Sequence, residues 1–201
     1  QLVFKISVVI SILSYMAGKV IEFILLRLRT PGEVDIWFER ELMKWAHYCL
    51  IKIKGSVQVH SFNHFETVNW NRNIFIVANH QSYADIPVLI HAFQKVFGFV
   101  AKKELGMIPF LNYWMKKLGC LFINRKNFTQ ALRTLKSLEK SGDSSTLVVF
   151  PEGTRGSNDR LGPFKVGVLK MAWSLDALLV PVYIAGTRKC WEEKVHSNTY
   201  D

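Results

Sequence analysis

Residues 73–101, NIFIVANHQSYADIPVLIHAFQKVFGFVA, decide the fold. The opening run NIFIVA (73–78) is apolar without alternation, the pattern of a strand buried on both faces. A polar turn, NHQSYAD, follows. IPVLIHAFQKV (86–96) then has helical spacing, with Pro87 tolerated in a first turn, and FGFVA (97–101) returns to a strand. The same alternation continues downstream. PFLNYWMKKLG (109–119) reads as a helix stopped by Gly119, and CLFIN (120–124) as a strand. NFTQALRTLKSLEKSG (127–142) reads as a helix with Asn127 as N-cap and Gly142 just past its end. STLVVF (145–150) is a strand, KVGVLKMAWSL (165–175) a helix and ALLVPVYIAG (177–186) a strand. Strands alternating with helices predict an α/β domain with a largely parallel central sheet flanked by helices, here over residues 56–201.

Residues 1–55 have a different character. QLVFKISVVISILSYMAGKVIEFILLRLR (1–29) carries few charges. At about 100° per residue Lys5, Lys19 and Glu22 share one arc of a helix, opposite Leu2, Ile6, Leu13, Val20 and Ile24. The uncharged stretch between Lys5 and Lys19 is shorter than the ~20 residues of a clean span. Pro31 and Gly32 break the helix, and EVDIWFERELMKWAHYCLIKIKG (33–55) resumes helical spacing with Trp and Tyr beside Lys and Arg. The pair reads as a membrane-interface helical hairpin. A true transmembrane first helix, and a pair packed only on the domain's own core, are the alternatives.

The chain has 201 residues, enough for one domain with a sizeable core, and a net charge of +10. Such basicity points to an anionic partner, unless it serves only solubility. No Lys/Arg cluster interleaved with aromatics marks a nucleic-acid surface. Cys49, Cys120 and Cys190 are odd in number and far apart, so neither a disulfide framework nor a zinc spacing is expected. Cys120, inside an apolar run, reads as core.

In an open α/β sheet, ligands bind beyond the carboxyl ends of the strands. NHQSYAD and FPEGTRG (150–156) both fall there. His80 and Asp85 can meet only if His80 lies in the turn and Asp85 near the start of the next helix. Such a pair is a general base and its orienter; unpaired, they are a turn residue and an N-cap. No G-x-S-x-G elbow supplies a nucleophile. In the second loop Gly153 lets backbone approach a ligand and Arg155 offers a planar fork suited to phosphate. Glu152 either pairs with Arg155 or accepts from a substrate hydroxyl. Lys102, Lys103 and Arg125 follow successive strands of the chain and either converge with Arg155 on one anion or are solvated singly.

These residues resemble the ordered blocks of the glycerolipid acyltransferases. NHQSYAD resembles their N-H-x-x-x-x-D block, and AKKELGMIPFLNYWMKKLGCLFINR (101–125) their second. FPEGTR resembles the third, PFKVGV (163–168) the F-K-x-G element and VPVYIAG (180–186) the fourth. Gly156 departs from the Ser that often follows the third block. The match is to the bacterial type of 1-acyl-glycerol-3-phosphate acyltransferase. The resemblance implies acyl transfer from acyl-CoA or acyl-carrier protein, as co-substrate, to the sn-2 hydroxyl of lysophosphatidic acid, giving phosphatidate without an acyl-enzyme. It implies no metal and no other cofactor, and work at the bilayer on the cytoplasmic face of the inner membrane. His80 is then the base and Asp85 its orienter. Gly153, Thr154 and Arg155 bind the acceptor phosphate, supported by Lys102, Lys103 and Arg125; Glu152 is a substrate-site residue of open role. The rival readings are an acyltransferase for glycerol-3-phosphate or another lysophospholipid, and a non-catalytic lipid-binding protein of the membrane surface.

Overall fold

The computed structural model describes residues 2–60, 68–108, 111–123, 146–156 and 160–191. The helix expected over 127–142, and Arg125 with it, lie outside the described residues. The chain divides into two compact units. One comprises 1–60, 82–96 and 185–201; the other comprises 61–81 and 97–184.

The second unit is built on a five-stranded sheet: β1 (Ile74–Ala78), β2 (Gly98–Lys102), β3 (Leu121–Ile123), β4 (Thr146–Val149) and β5 (Leu178–Val182). Their order is β3-β2-β4-β1-β5, and every pairing is parallel. The apolar run that opens the decisive stretch is as buried as its pattern requires: Ile74, Phe75 and Ile76 are fully enclosed. β4 lies at the centre, between β2 and β1, and Leu147, Val148 and Val149 are buried with it. The helix α5 (Val166–Ser174) packs Met171 and Ala172 on Phe75, Val100, Leu121, Leu147 and Val149. Most element edges fall within a residue or two of the sequence reading. Lys102 is a departure: it is the last residue of β2, not the residue after it, and Lys103 opens a 3-10 turn over Lys103–Met107.

Two glycines fix how β2 and β3 meet. The helix α4 (Leu111–Lys117) ends in a Schellman motif: Gly119 N–H donates to Lys116 O at 2.9 Å and Cys120 N–H to Met115 O at 2.8 Å. Gly119 takes the required left-handed conformation, φ 72°. Its carbonyl then lies against Gly98, where an added Cβ would stand 2.2 Å from Gly119 O. Cys120 Sγ accepts Phe99 N–H at 3.4 Å, and burial pushes its thiol up to about 11, as befits the core position read from its apolar run.

The first unit is helical: α1 (Leu2–Arg29), α2 (Val34–Lys52), α3 (Asp85–Phe93) and a short α6 (Thr187–Trp191). A 3-10 turn at Pro31–Glu33 makes the expected break. α3 ends where Gln94 turns left-handed, φ 49°. Val8, Leu50, Ile53 and Ala84 form the core, with Val88, Cys190 and Trp191 against it. Cys49 is also buried, and its thiol is pushed up to about 12.

The charged arc of α1 is turned toward α2. Lys19 pairs with Glu41 at 3.0 Å, Trp37 Nε1 donates to Glu22 at 2.7 Å, and Tyr15 stacks on Tyr48 at 5.0 Å. Ser11 Oγ hydrogen-bonds Tyr48 Oη in the same seam. Burial acting alone would raise the Glu41 carboxyl; Lys44 at 2.7 Å and Lys19 outweigh it and hold the group below the ordinary carboxylate range. The other side of α1 exposes Ile6, Val9, Ile10, Leu13, Ile21, Ile24, Leu25 and Leu28. Lys5–Arg29 is long and apolar enough to cross a membrane by length and composition.

Gly98→Ala is expected to cost about 3 kcal/mol or more, because backbone must give way. Gly119→Ala meets no atom and costs about 1–2 kcal/mol for its left-handed φ. Denaturant midpoints in detergent compare the two, and a G98A protein as stable as G119A would contradict the contact.

Candidate active site

The parallel sheet aligns its carboxyl ends on one edge. Val77 of β1 is level with Val149 of β4, so the two neighbouring strands leave the sheet together. Three residues beyond each stand His80 and Glu152. The expected turn loop and the FPEGTRG loop are thereby neighbours, as their positions at strand ends require.

Glu152 joins them. Its carboxylate is buried, and Oε1 accepts the His80 backbone N–H at 2.8 Å while Oε2 accepts Gly162 N–H at 2.9 Å. The geometry gives it the work of holding two loops. A Cβ at Gly162 would lie 2.7 Å from Oε2, so glycine is needed for that approach. His80 O in turn accepts Gly156 N–H at 2.8 Å. The imidazole is half-buried and stacks on Phe150, centroids 4.0 Å apart and planes 18° apart. His80 is therefore tied to the FPEGTRG loop through its backbone N–H, its carbonyl and its ring. Before His80, the buried Asn79 grips the chain beyond β5: Nδ2 donates to Ile184 O at 2.8 Å and Oδ1 accepts Ile184 N–H at 2.6 Å.

The FPEGTRG loop makes a tight turn, with Gly153 N–H donating to Phe150 O at 3.0 Å and Gly153 at φ 71°. Lys165, from the PFKVGV element, is pinned by its backbone N–H to Pro151 O at 2.9 Å. Its side chain crosses the bare face of Gly153, where a Cβ would meet Nζ at 2.8 Å. Thr154 and Arg155 are exposed. Lys102, at the end of β2 and level with Ile123 of β3, is exposed, as is Lys103. The edge is cationic at Lys102, Arg155 and Lys165.

Asp85 belongs to the helical unit and opens α3. It is fully buried and is the first helical residue, Ala84 holding the N-cap position. Its Oδ2 accepts Ser82 N–H at 2.9 Å and its Oδ1 accepts the Thr187 hydroxyl at 2.5 Å. Ser82 is buried, and its Oγ accepts Ala84 N–H at 3.1 Å, which occupies it in the turn. Sequence reasoning missed Thr187 and Lys165. Thr187 lies 102 residues from its partner, beyond any local signal; Lys165 carried one, its place in PFKVGV. Among the described residues, no three His, Cys, Asp or Glu side chains gather as a metal site.

Glu152→Gln leaves one acceptor oxygen for two backbone donors and turns an amide N–H toward the other. It is expected to lower stability by about 1–3 kcal/mol. Denaturant unfolding reads this, and an unshifted midpoint would contradict the bracing role.

A family model described as acyltransferase matches residues 56–185, more than half of the chain. A 1-acyl-sn-glycerol-3-phosphate acyltransferase of Haemophilus influenzae is 30% identical over 197 residues, covering 94% of this chain and 74% of that protein. A probable 1-acyl-sn-glycerol-3-phosphate acyltransferase of Mycoplasma pneumoniae is 39% identical over 127 residues, covering 60% of this chain and 47% of that protein. The chain spans about half the length of several curated relatives it matches. The crystal structure of the 1-acyl-sn-glycerophosphate acyltransferase PlsC from Thermotoga maritima superposes with a TM-score of 0.75 at 29% identity, over 92% of this chain and 74% of that one. The parallel sheet, the two motif loops on its edge and these likenesses agree: the chain belongs to the acyltransferase family.

Proposed function

We propose that this chain transfers an acyl group from acyl-CoA or acyl-carrier protein to the sn-2 hydroxyl of 1-acyl-glycerol-3-phosphate, giving phosphatidate. The observation that carries the reading is the shared strand edge. It sets His80 beside the loop of Gly153, Thr154 and Arg155, bound through Glu152. The names of the relatives support the substrate class.

The acceptor phosphate binds Arg155 and the backbone around Gly153, with Lys102, Lys103 and Arg125 in support and Lys165 as a further cation. Its glycerol hydroxyl then points to His80. The imidazole takes the hydroxyl proton as the oxygen attacks the thioester carbonyl. The tetrahedral intermediate collapses, the C–S bond breaks, and the imidazolium returns its proton to the leaving thiolate. Asp85 fixes the imidazole tautomer and stabilises the imidazolium, and no acyl-enzyme forms. The reaction needs no metal or other cofactor. The apolar face of α1 inserts in the bilayer at the cytoplasmic side of the cell membrane, where lysophosphatidate and phosphatidate reside.

His80→Ala is expected to lower kcat about 10²- to 10⁴-fold, read as thiol release from acyl-CoA with lysophosphatidate in liposomes. Arg155→Ala should raise the acceptor KM about tenfold or more and leave the donor KM unchanged. Turnover by H80A at the wild-type rate would remove the base; a change in the donor KM alone for R155A would misplace the phosphate.

A further inference from the structure

The segment after β5 holds the NHQSYAD turn twice, by two separate sets of bonds. In the sheet unit Asn79 exchanges two hydrogen bonds with the Ile184 backbone, at 2.8 and 2.6 Å. In the helical unit Thr187 gives its hydroxyl to Asp85 at 2.5 Å. The first anchors the residue before His80. The second reaches the residue taken as its orienter.

We propose that Thr187 is a positioning residue for acyl transfer, its hydroxyl holding the Asp85 carboxylate that the acyl-transfer reading makes the orienter of His80. The assignment rests on the acyl-transfer reading above.

The physical case is the enclosure of Asp85. A carboxylate with no exposure loses its hydration and must be repaid by donors. Donors stand on both oxygens: Ser82 N–H on Oδ2 at 2.9 Å and Thr187 Oγ1 on Oδ1. They act differently. Ser82 is three residues away in the same turn, so its N–H moves with Asp85 and sets only where the group begins. The terminal torsion of Asp is soft and roughly two-fold, so a donor from its own turn restrains it less than one from another element. Thr187 suits the task, because it is buried and its β-branch leaves few χ1 rotamers from which the hydroxyl can point. Each carboxylate oxygen accepts more than one bond, so both donors leave capacity for an imidazole N–H.

This gives the fourth motif block a chemical role. VPVYIAG ends at Gly186, whose φ of 82° turns the chain into α6 with Thr187 as its first residue. The block delivers Ile184 to Asn79 and Thr187 to Asp85. Neither residue needs to touch substrate.

The test compares Thr187→Val, which keeps the shape and loses the donor, with Thr187→Ser, which keeps the donor. Thiol release from acyl-CoA is followed with lysophosphatidate in liposomes, each variant corrected to equal folded fraction by circular dichroism. T187V is expected to lose about 10- to 100-fold in kcat, with both KM values within about twofold of wild type. T187S is expected to recover to within about threefold of wild-type kcat. In an Asp85→Asn background T187V should cost nothing further, since residues acting as one unit do not add. If T187V does not fold, Thr187→Ala against T187S reads the same contrast. Active wild type with T187V unimpaired overturns the assignment. So does a T187S as impaired as T187V, or a loss that multiplies with that of D85N. A wild-type chain releasing no thiol with lysophosphatidate, glycerol-3-phosphate or another lysophospholipid overturns the acyl-transfer reading itself, and this proposal with it.

Discussion

The site depends on one buried carboxylate, Glu152, and the two backbone N–H groups it accepts. Strand pairing alone makes the loops leaving β1 and β4 neighbours. With Glu152, His80 N–H is tied to the FPEGTRG loop at 2.8 Å and Gly162 to the same side chain at 2.9 Å. Phe150 beneath the imidazole and Gly156 N–H on His80 O complete the frame. A buried carboxylate is costly unless satisfied, and here the satisfaction comes from backbone, which cannot swing away. The parallel register does the rest by bringing both loops out level.

The helical pair solves an opposite problem. α1 carries polar groups along one stripe and apolar residues elsewhere. Its polar stripe is paired with α2 through Glu41, Trp37 and Tyr48, Val8 and Phe23 are buried, and its outer apolar face stays uncovered. A helix in water would be expected to face the other way. An outward apolar face with inward ion pairs is the arrangement that lipid favours, because hydrocarbon offers no partner for a charge. This arrangement carries the membrane reading further than hydropathy does.

Much of this was legible in the residues, for physical reasons. Continuous apolar runs marked β1 and β4, and helical spacing marked α2, α3 and α5, since burial imposes those periods directly. β5 was marked by the same kind of run, although none of its residues is buried. Gly119 was readable as a helix stop because only a left-handed residue closes a Schellman motif. Asp85 was placed at the start of α3, yet a capping role was one of its open readings, and the structure gives it Ser82 and Thr187 instead. Those partners, like the Glu152 bonds, join residues from 3 to 102 positions apart. The distant ones leave no trace in local pattern. The short α6 was missed for the same reason: five residues hold too little periodicity to register. The inward turn of the charged arc on α1 was also hidden, because a helical wheel shows which residues share a face and not what that face meets.

The central claim is that the cationic strand edge and the imidazole act on one molecule, the first gripping its phosphate and the second its hydroxyl. Initial rates of thiol release from one acyl-CoA, with lysophosphatidate and with the monoacylglycerol that differs only by lacking the phosphate, test it most directly. The account predicts a kcat/KM for lysophosphatidate at least about tenfold higher, the worth of one charge-assisted contact made in the transition state. Equal values for the two lipids, in a chain that does release thiol, would contradict it.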